Sequence, residues 1–449
     1  MRLLHVVTLV SDDGAFGGPT SVAVAQLEEL AARGHDVTLM SLWRGRGRGP
    51  RRIGSVRLRT RPARALLPGR GFLALLHPLL VRDLWRAMRD ADAVHVHAGR
   101  DLVSLAALAV AALRRVPCVA QTHGMVEPRT SAAVRLFDLV YLPLLRRTRT
   151  CLVLTEHERR MVDRVLGPGG PPLRVLPNGI RPAPPEPGRR QPRDPHVLFL
   201  ARLHPRKRPE AFVEMAALVH REMPEARFTL YGPDDGSLPA VRRLIAGGLD
   251  GVVRYGGALD PAEAREAYRS AAVHVLASVN EPFGMTVIEA LAVGTPVVCT
   301  DTCGIAGELE RRGAAVVTDG SPRAMADAVR ALLGDPELCD RMAEAGRRVV
   351  EEVFSIHAVA DRLEDVYRGR DTARTDHPDG DGRNGYDGQA GRHSRHTQDG
   401  YGGHAGRDSQ DAQDGYGGHA GRDSRDAQDG RDDQVGQDGR DDQVGQESR

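Results

Sequence analysis

Short apolar runs recur through residues 1–370, each separated from the next by a stretch with helix signals. This alternation constrains the fold more than any other property of the chain. Runs at 3–10, 35–40, 94–97, 118–122, 151–154 and 173–177 read as strands, with helices expected at 21–33 and 102–115 among others. A segment dense in proline (Pro182, Pro184, Pro185, Pro187, Pro192, Pro195) then breaks the series and reads as an interdomain linker, 181–195. A second series follows from His196, with runs near 197–200, 227–231, 252–255, 273–276, 297–299 and 314–318. Strands that alternate with helices make doubly wound α/β sheets. At 449 residues the chain has room for two such domains with a core each. The expected organisation is therefore 1–180, linker, 196–354, and a last helix at 355–370. Two such domains create a cleft between them, and ligands of doubly wound sheets sit at the carboxyl ends of the strands.

Residues 371–449 are a different material. They contain no Leu, Ile, Phe, Met, Trp or Cys, and they carry 18 acids against 10 arginines. The unit at 398–412 recurs at 413–427, and the unit at 430–438 recurs at 439–447. Repeats with no apolar face cannot stack into a core, so a disordered low-complexity tail is expected.

The five cysteines, 118, 151, 299, 303 and 339, form no paired framework and no metal-ligand spacing, as expected of reduced cytosolic thiols. Residues 1–7 lack a signal-peptide layout, and no apolar run approaches a membrane span. The expectation is a cytoplasmic protein, at most peripheral at the inner face of a membrane. One patch favours that contact: ten arginines and no acids lie between Arg44 and Arg70, followed by the apolar run from Phe72 to Leu80, with Trp85 nearby. The alternative is a solvated loop at Arg44–Arg52 and a buried helix at Phe72–Leu80. The patch has few aromatics and no recognition motif, which argues against nucleic acid as a partner.

The chemistry concentrates in two places. Between the runs at 272–276 and 297–299, a loop with Pro282 and Gly284 feeds a helix from Met285 that stops at Gly294. Glu281 lies on the loop and Glu289 lies eight positions on, within that helix. Free N–H groups and the positive dipole end at a helix N-terminus favour an anion such as a diphosphate. A carboxylate on either side of it can grip hydroxyls, a layout that suits a sugar–diphosphate–ribose ligand. The second place is Lys207, the one lysine among 62 basic residues. Where arginine replaces lysine everywhere else, the surviving ammonium marks a position at which a planar guanidinium will not serve. It follows the run at 197–200 closely, as does Arg202.

The segment Glu281-Pro282-Phe283-Gly284, with Glu289-Ala290-Leu291-Ala292 and Gly294-Thr295-Pro296-Val297-Val298, resembles the E-x7-E motif of retaining glycosyltransferases of family 4 (group 1), which have the GT-B fold. The resemblance spans residues 1–370 and implies two Rossmann-like domains facing across a cleft. It implies that Arg202 and Lys207 hold the donor phosphates, Glu289 the ribose and Glu281 the donor sugar. Phe283, Gly284, Met285 and Thr286 would line the donor pocket. His123 would reach the sugar from the other domain, and Gly17 and Gly18 would form the acceptor-side loop. The implied donor is UDP- or GDP-linked, and the implied acceptor is a polysaccharide or lipid-linked envelope molecule. No cofactor and no metal are expected, because there is no DxD triplet in a suitable loop: Asp12-Asp13 and Asp234-Asp235 are acidic pairs only, and Asp234-Asp235, after Tyr231-Gly232-Pro233, reads as structural. The segment Cys303-Gly304-Ile305-Ala306-Gly307-Glu308 departs from the family's usual wording, which leaves Glu308 without an assigned role. The rival readings are a catalytically silent scaffold that uses the tail as an interaction arm, and a dinucleotide-dependent enzyme. The latter is disfavoured because Gly14-Ala15-Phe16-Gly17-Gly18 does not spell G-x-G-x-x-G.

Overall fold

A computed structural model describes residues 1–12, 17–66, 71–182 and 194–370. The tail and most of the proline-rich linker lie outside the described residues. In chain order the first half comprises β1 (Arg2–Ser11), α1 (Gly17–Ala32), β2 (Asp36–Arg44), β3 (Arg52–Ile53), β4 (Val56–Pro62), α2 (Pro78–Ala87), β5 (Ala93–His97), α3 (Leu102–Arg114), β6 (Cys118–Gln121), α4 (Ala132–Leu145), β7 (Thr150–Val153), α5 (Glu156–Leu166) and β8 (Leu173–Val175). The second half comprises β9 (His196–Leu200), α6 (Pro209–Glu222), β10 (Arg227–Tyr231), α7 (Leu238–Ala246), β11 (Val253–Tyr255), α8 (Pro261–Ser270), β12 (Val273–Leu276), α9 (Met285–Ala292), β13 (Val297–Thr300), α10 (Ala306–Arg311), β14 (Val316–Thr318), α11 (Pro322–Gly334), α12 (Pro336–Val349) and α13 (Ile356–Arg368).

The strands form two sheets, ordered β3-β4-β2-β1-β5-β6-β7-β8 and β11-β10-β9-β12-β13-β14. All pairings are parallel except β3 with β4. Strand β1 is buried at eight consecutive positions and β12 at all four. Their apolar runs lack alternation because helices cover both faces. On one face of the first sheet, Leu80, Leu84, Leu108, Tyr141 and Val162 of α2–α5 form one core. On the other face α1 contributes Ala23, Leu27 and Leu30, joined by Val359, Ala360, Leu363 and Tyr367 of α13. The last helix therefore packs on the first half.

Local signals set the helix ends. Asp101 caps α3 by accepting from Val103 N and Ser104 N at 3.0 and 2.9 Å, and Arg115 closes it in the left-handed region. Asp260 and Glu263 form a capping box at α8, with Pro261 at the first helical position. Gly179 lies where a Cβ would fall 2.9 Å from Ile356 Cα. It lets the chain leaving the first sheet cross the start of α13, with Ile180 and Ser355 forming a bridge.

The arginine-rich stretch is a loop only in part: residues 45–51 lie outside any strand and are almost wholly exposed, whereas β2 extends to Arg44 and β3 and β4 continue the sheet to its edge. On β4, Val56 and Leu58 face inward while Arg57 and Arg59 face out, and Arg61 pairs with Asp83 at 2.6 Å. Alternation with arginine on the solvent side suits an edge strand and blunts edge-to-edge pairing. In the apolar run that follows, Ala74, Leu75 and Leu80 are core residues, and α2 begins only at Pro78 behind a cap from His77. The Phe72 side chain lies outside the described residues. Leu66, Leu73, Leu79 and Trp85 remain exposed.

Candidate functional site

In each sheet the strand order reverses beside the first strand: β1 lies between β2 and β5, and β9 between β10 and β12. Loops that leave neighbouring strands towards opposite sides open a crevice at such a point. The second sheet brings the predicted residues together there. Val279 N–H, after β12, donates to the Arg206 carbonyl, after β9, at 2.9 Å. His204 Nδ1 accepts from Arg206 N at 3.1 Å, and Lys207 N donates to the His204 carbonyl at 2.7 Å. These bonds wind Pro205–Lys207 into a 3-10 turn that aims the lysine. Lys207 Nζ donates to Glu281 Oε2, and the two side chains are only 18% and 11% exposed. The Glu281 backbone is held on both sides, its N–H by the Thr302 carbonyl at 3.1 Å and its carbonyl by Gly304 N–H at 2.8 Å. A side chain at Gly304 would fall 2.2 Å from the Pro282 carbonyl oxygen, so this approach requires glycine.

Helix α9 starts at Met285 with Gly284 in the left-handed region (φ 97) and no side-chain cap. Its first turn thus keeps N–H groups and the positive dipole end for an incoming group. Further along α9, Glu289 Oε2 accepts from the Tyr268 hydroxyl at 3.2 Å. Burial pushes the Glu289 carboxyl up, opposed by the Tyr268 hydrogen bond and by Arg265. Thr286 also bonds Tyr268.

His123 enters from the first half, at the end of β6. Its backbone is left-handed (φ 51), and the turn is held by a buried carboxylate. Glu158 Oε1 accepts from Thr122 Oγ1 at 2.6 Å and Gly124 N at 2.5 Å, and its Oε2 accepts from Leu154 N at 2.6 Å. Burial raises the Glu158 carboxyl and those three hydrogen bonds oppose the rise. A Cβ on Gly124 would lie 3.3 Å from Pro282 Cβ, so this turn abuts the loop that carries Glu281. Among the described residues, four non-glycine positions have positive φ: Arg115, His123, Arg208 and Asn280. Three of them are His123 itself and the neighbours of Lys207 and Glu281. Backbone strain is therefore concentrated where the predicted site lies, as expected where geometry is fixed for function.

Other predicted residues are placed differently. Arg202 pairs with Asp235 at 2.9 Å on the outer part of the loop, about half exposed. Phe283 is buried against Phe354, ring centroids 5.8 Å apart, so its side chain belongs to the core. Gly17 and Gly18 open α1 instead of forming a free loop, and residues 13–16 lie outside the described residues. Asp234 Oδ1 accepts from Gly236 N at 3.0 Å and Leu238 N at 3.1 Å, a turn-building role. Glu308 is taken by Arg311 and Arg312. None of the five cysteines forms a disulfide.

Tyr268, Glu158 and Arg208, whose Nη1 donates to the Gly320 carbonyl at 2.8 Å, went unnoticed in the sequence, since none stands in a motif. The spacing His95-x-His97 was a usable signal, because positions i and i+2 of a strand share a face. With His5 these are the one group of three among the described residues close enough to hold a metal ion, and they lie on the first sheet, away from Lys207.

Comparison with known proteins settles the family. The profile described as "Glycosyltransferase Family 4" matches residues 16–184, and that described as "Glycosyl transferases group 1" matches residues 182–349. The chain belongs to the group 1, family 4 glycosyltransferases. A D-inositol 3-phosphate glycosyltransferase of Thermobispora bispora is 34% identical over 206 residues, 42% of this chain and 47% of the relative. A glycogen synthase of Mycobacterium tuberculosis is 29% identical over 286 residues, 62% and 68% of the two chains. The chain thus spans about half the length of the first of these curated relatives. Among solved structures, Alr3699/HepE of Anabaena in complex with UDP is similar with a TM-score of 0.64 at 16% identity, covering 82% of this chain and all of the other. At that identity the likeness concerns the fold, and the expected GT-B architecture is borne out.

Proposed function

We propose that this glycosyltransferase moves a hexose-type sugar, with retention of anomeric configuration, from a UDP- or GDP-linked donor to a polysaccharide or lipid-linked envelope acceptor. The observation that carries this reading is the meeting of Lys207, Glu281 and the uncapped start of α9 at the switch point between β9 and β12. In such a transfer the transition state resembles an oxocarbenium ion, while negative charge grows on the departing diphosphate. Fixed positive groups aimed at that charge lower the barrier most. Lys207 and the first-turn N–H groups of α9 meet it directly, with Arg202 swinging from Asp235 to help. Glu281, paired with Lys207 at rest, passes to the sugar hydroxyls when the diphosphate takes the lysine. Glu289, steadied by Tyr268, holds the ribose, and His123 takes a sugar hydroxyl from the opposite side. The reaction needs no metal in this account, since cationic side chains and helix N–H groups do the neutralising.

The UDP in the Anabaena complex supports a nucleotide donor by analogy of fold. A lipid-linked acceptor would suit the exposed Leu73, Leu79 and Trp85 beside the arginine-bearing edge of the first sheet. Among the described residues no helix is long and apolar enough to cross a membrane.

The test is a screen of the full chain against UDP- and GDP-linked sugars, reading nucleotide release with and without a chelator. One preferred donor, hydrolysed slowly and indifferent to chelator, is the expected result. Binding of no nucleotide would favour the scaffold reading, and loss of activity in chelator would remove metal independence.

A further inference from the structure

Behind His123, hydrogen bonds run through the first sheet to the last helix. His123 Nε2 lies 2.7 Å from His97 Nδ1, and His97 Nε2 lies 3.1 Å from His5 Nδ1. His5 Nε2 lies 2.9 Å from the Tyr367 hydroxyl, which lies 2.6 Å from His95 Nδ1. The rings stack as well: His95 on His97 at 4.5 Å and 4°, His97 on His123 at 5.0 Å and 16°. His5, His95, His97 and Tyr367 are buried, and only His123 reaches the crevice. Two ring nitrogens of the series have no hydrogen bond among the described residues: His95 Nε2 at the buried end and His123 Nδ1 at the open end.

A neutral imidazole carries one N–H and one bare nitrogen. In a continuous ladder of such rings every proton must therefore point the same way. Reversing one rung alone sets two N–H groups or two bare nitrogens face to face, an unpaired buried contact that costs about 1–3 kcal/mol. Burial holds all four rings neutral, with His5 and His123 pushed down to about 3 and His95 and His97 well below the usual histidine range. The whole ladder then has two states, set by the direction in which Tyr367 donates.

Distance chooses between them. O–H donors make shorter bonds than N–H donors, and the Tyr367 contact to His95 is the shorter of its two, 2.6 against 2.9 Å. Tyr367 therefore donates to His95 Nδ1 and accepts from His5 Nε2–H. His5 Nδ1 then accepts from His97 Nε2–H, and His97 Nδ1 accepts from His123 Nε2–H.

We propose that Tyr367, acting through His5 and His97, locks His123 in the tautomer that leaves Nδ1 bare, so that His123 can only accept a hydrogen bond from a hydroxyl in the crevice. The role of that acceptor towards a donor-sugar hydroxyl rests on the function proposed above, while the tautomer does not. His5, His97 and Tyr367 are positioning residues. Docking of α13 on the first half becomes a condition for a competent His123, which links the chain's last helix to the site.

The experiment is ¹⁵N NMR of the full chain labelled at histidine, with the His123 signals assigned from His123→Gln. The expected wild-type pattern is a single tautomer, Nε2 protonated and Nδ1 bare, unchanged from pH 6 to 8. Tyr367→Phe keeps the ring but removes the rung. It should convert His123 to mixed tautomers and lower kcat about tenfold with KM for the donor changed less than twofold. His123 with Nδ1 protonated, mixed tautomers in the wild type, or an unchanged tautomer in Tyr367→Phe would each overturn the proposal. So would stoichiometric zinc in the purified chain, since a metal on His5, His95 and His97 would take the nitrogens that the ladder uses. The predicted tautomer in a chain that binds no nucleotide sugar would support the ladder and remove only the functional reading.

Discussion

The two halves of the molecule share an architecture and present opposite chemistry where they meet. The second half offers full charge: Lys207 paired with Glu281, Arg202 with Asp235, and an uncapped helix start. The first half offers neutral polarity: His123 at the end of a ladder of uncharged rings, on a turn anchored by Glu158. A ligand anionic at one end and hydroxylated at the other matches both sides. The contrast also shows that one fold can stabilise a polar cluster by two routes. Ion pairs tolerate partial exposure, whereas the ladder requires complete burial and a consistent proton direction.

Four experiments break or sharpen the contrast. Lys207→Ala should lower turnover roughly 10³-fold while the thermal midpoint stays within a few degrees. Lys207→Arg should recover little of the loss, because a planar fork does not reproduce a compact ammonium. Turnover close to wild type in either variant would break the charged side of the comparison.

Acid should act mainly on the neutral side. His5 and His123 titrate at about 3 when folded, and His95 and His97 are also depressed, against about 6.5 unfolded. Below pH 6.5 the unfolded chain binds protons that the folded chain cannot, so stability present above that pH is lost as pH falls. The loss is about 1.4 kcal/mol per histidine per pH unit. The second half has a weaker version, with His274 at about 4 and His196 lowered, both by burial. Hydrogen exchange followed by mass spectrometry between pH 7 and 5 should show β1, β5 and β6 losing protection before β9 and β12. Simultaneous loss would contradict the asymmetry.

Glu158→Gln should cost about 2 kcal/mol by chemical denaturation, because an amide cannot accept all three hydrogen bonds that the carboxylate does. Donor KM should rise as the His123 turn loosens. The smallest effect is expected of Arg202→Ala. Its pair is exposed, so the change in unfolding free energy should stay within about 1 kcal/mol, and donor KM should rise about tenfold, readable by steady-state kinetics.

Much of this architecture was legible in the sequence because burial on both faces writes itself as unbroken apolar runs. Strands β1, β5, β9, β12 and β13 were readable for that reason. Strand β4 was not, since arginine at alternate positions made it read as part of a basic patch. The segment around Glu281 and the lone lysine were legible because each is a local pattern. The histidine ladder was not. His5, His97, His123 and Tyr367 are brought together by strand order and by the return of α13, and no spacing along the chain encodes that. Tyr268 beside Glu289 and Glu158 beneath His123 belong to the same class, partners chosen by tertiary packing alone.

Lys207, Glu281 and the start of α9 are proposed to form a nucleotide-sugar site at the second switch point. Titration calorimetry of the full chain with its preferred UDP- or GDP-linked sugar, run beside Lys207→Ala and Glu289→Ala, tests it most directly. Binding in the wild type that weakens at least tenfold in both variants is the predicted result. Equal affinity in all three chains would place the ligand elsewhere and contradict the account.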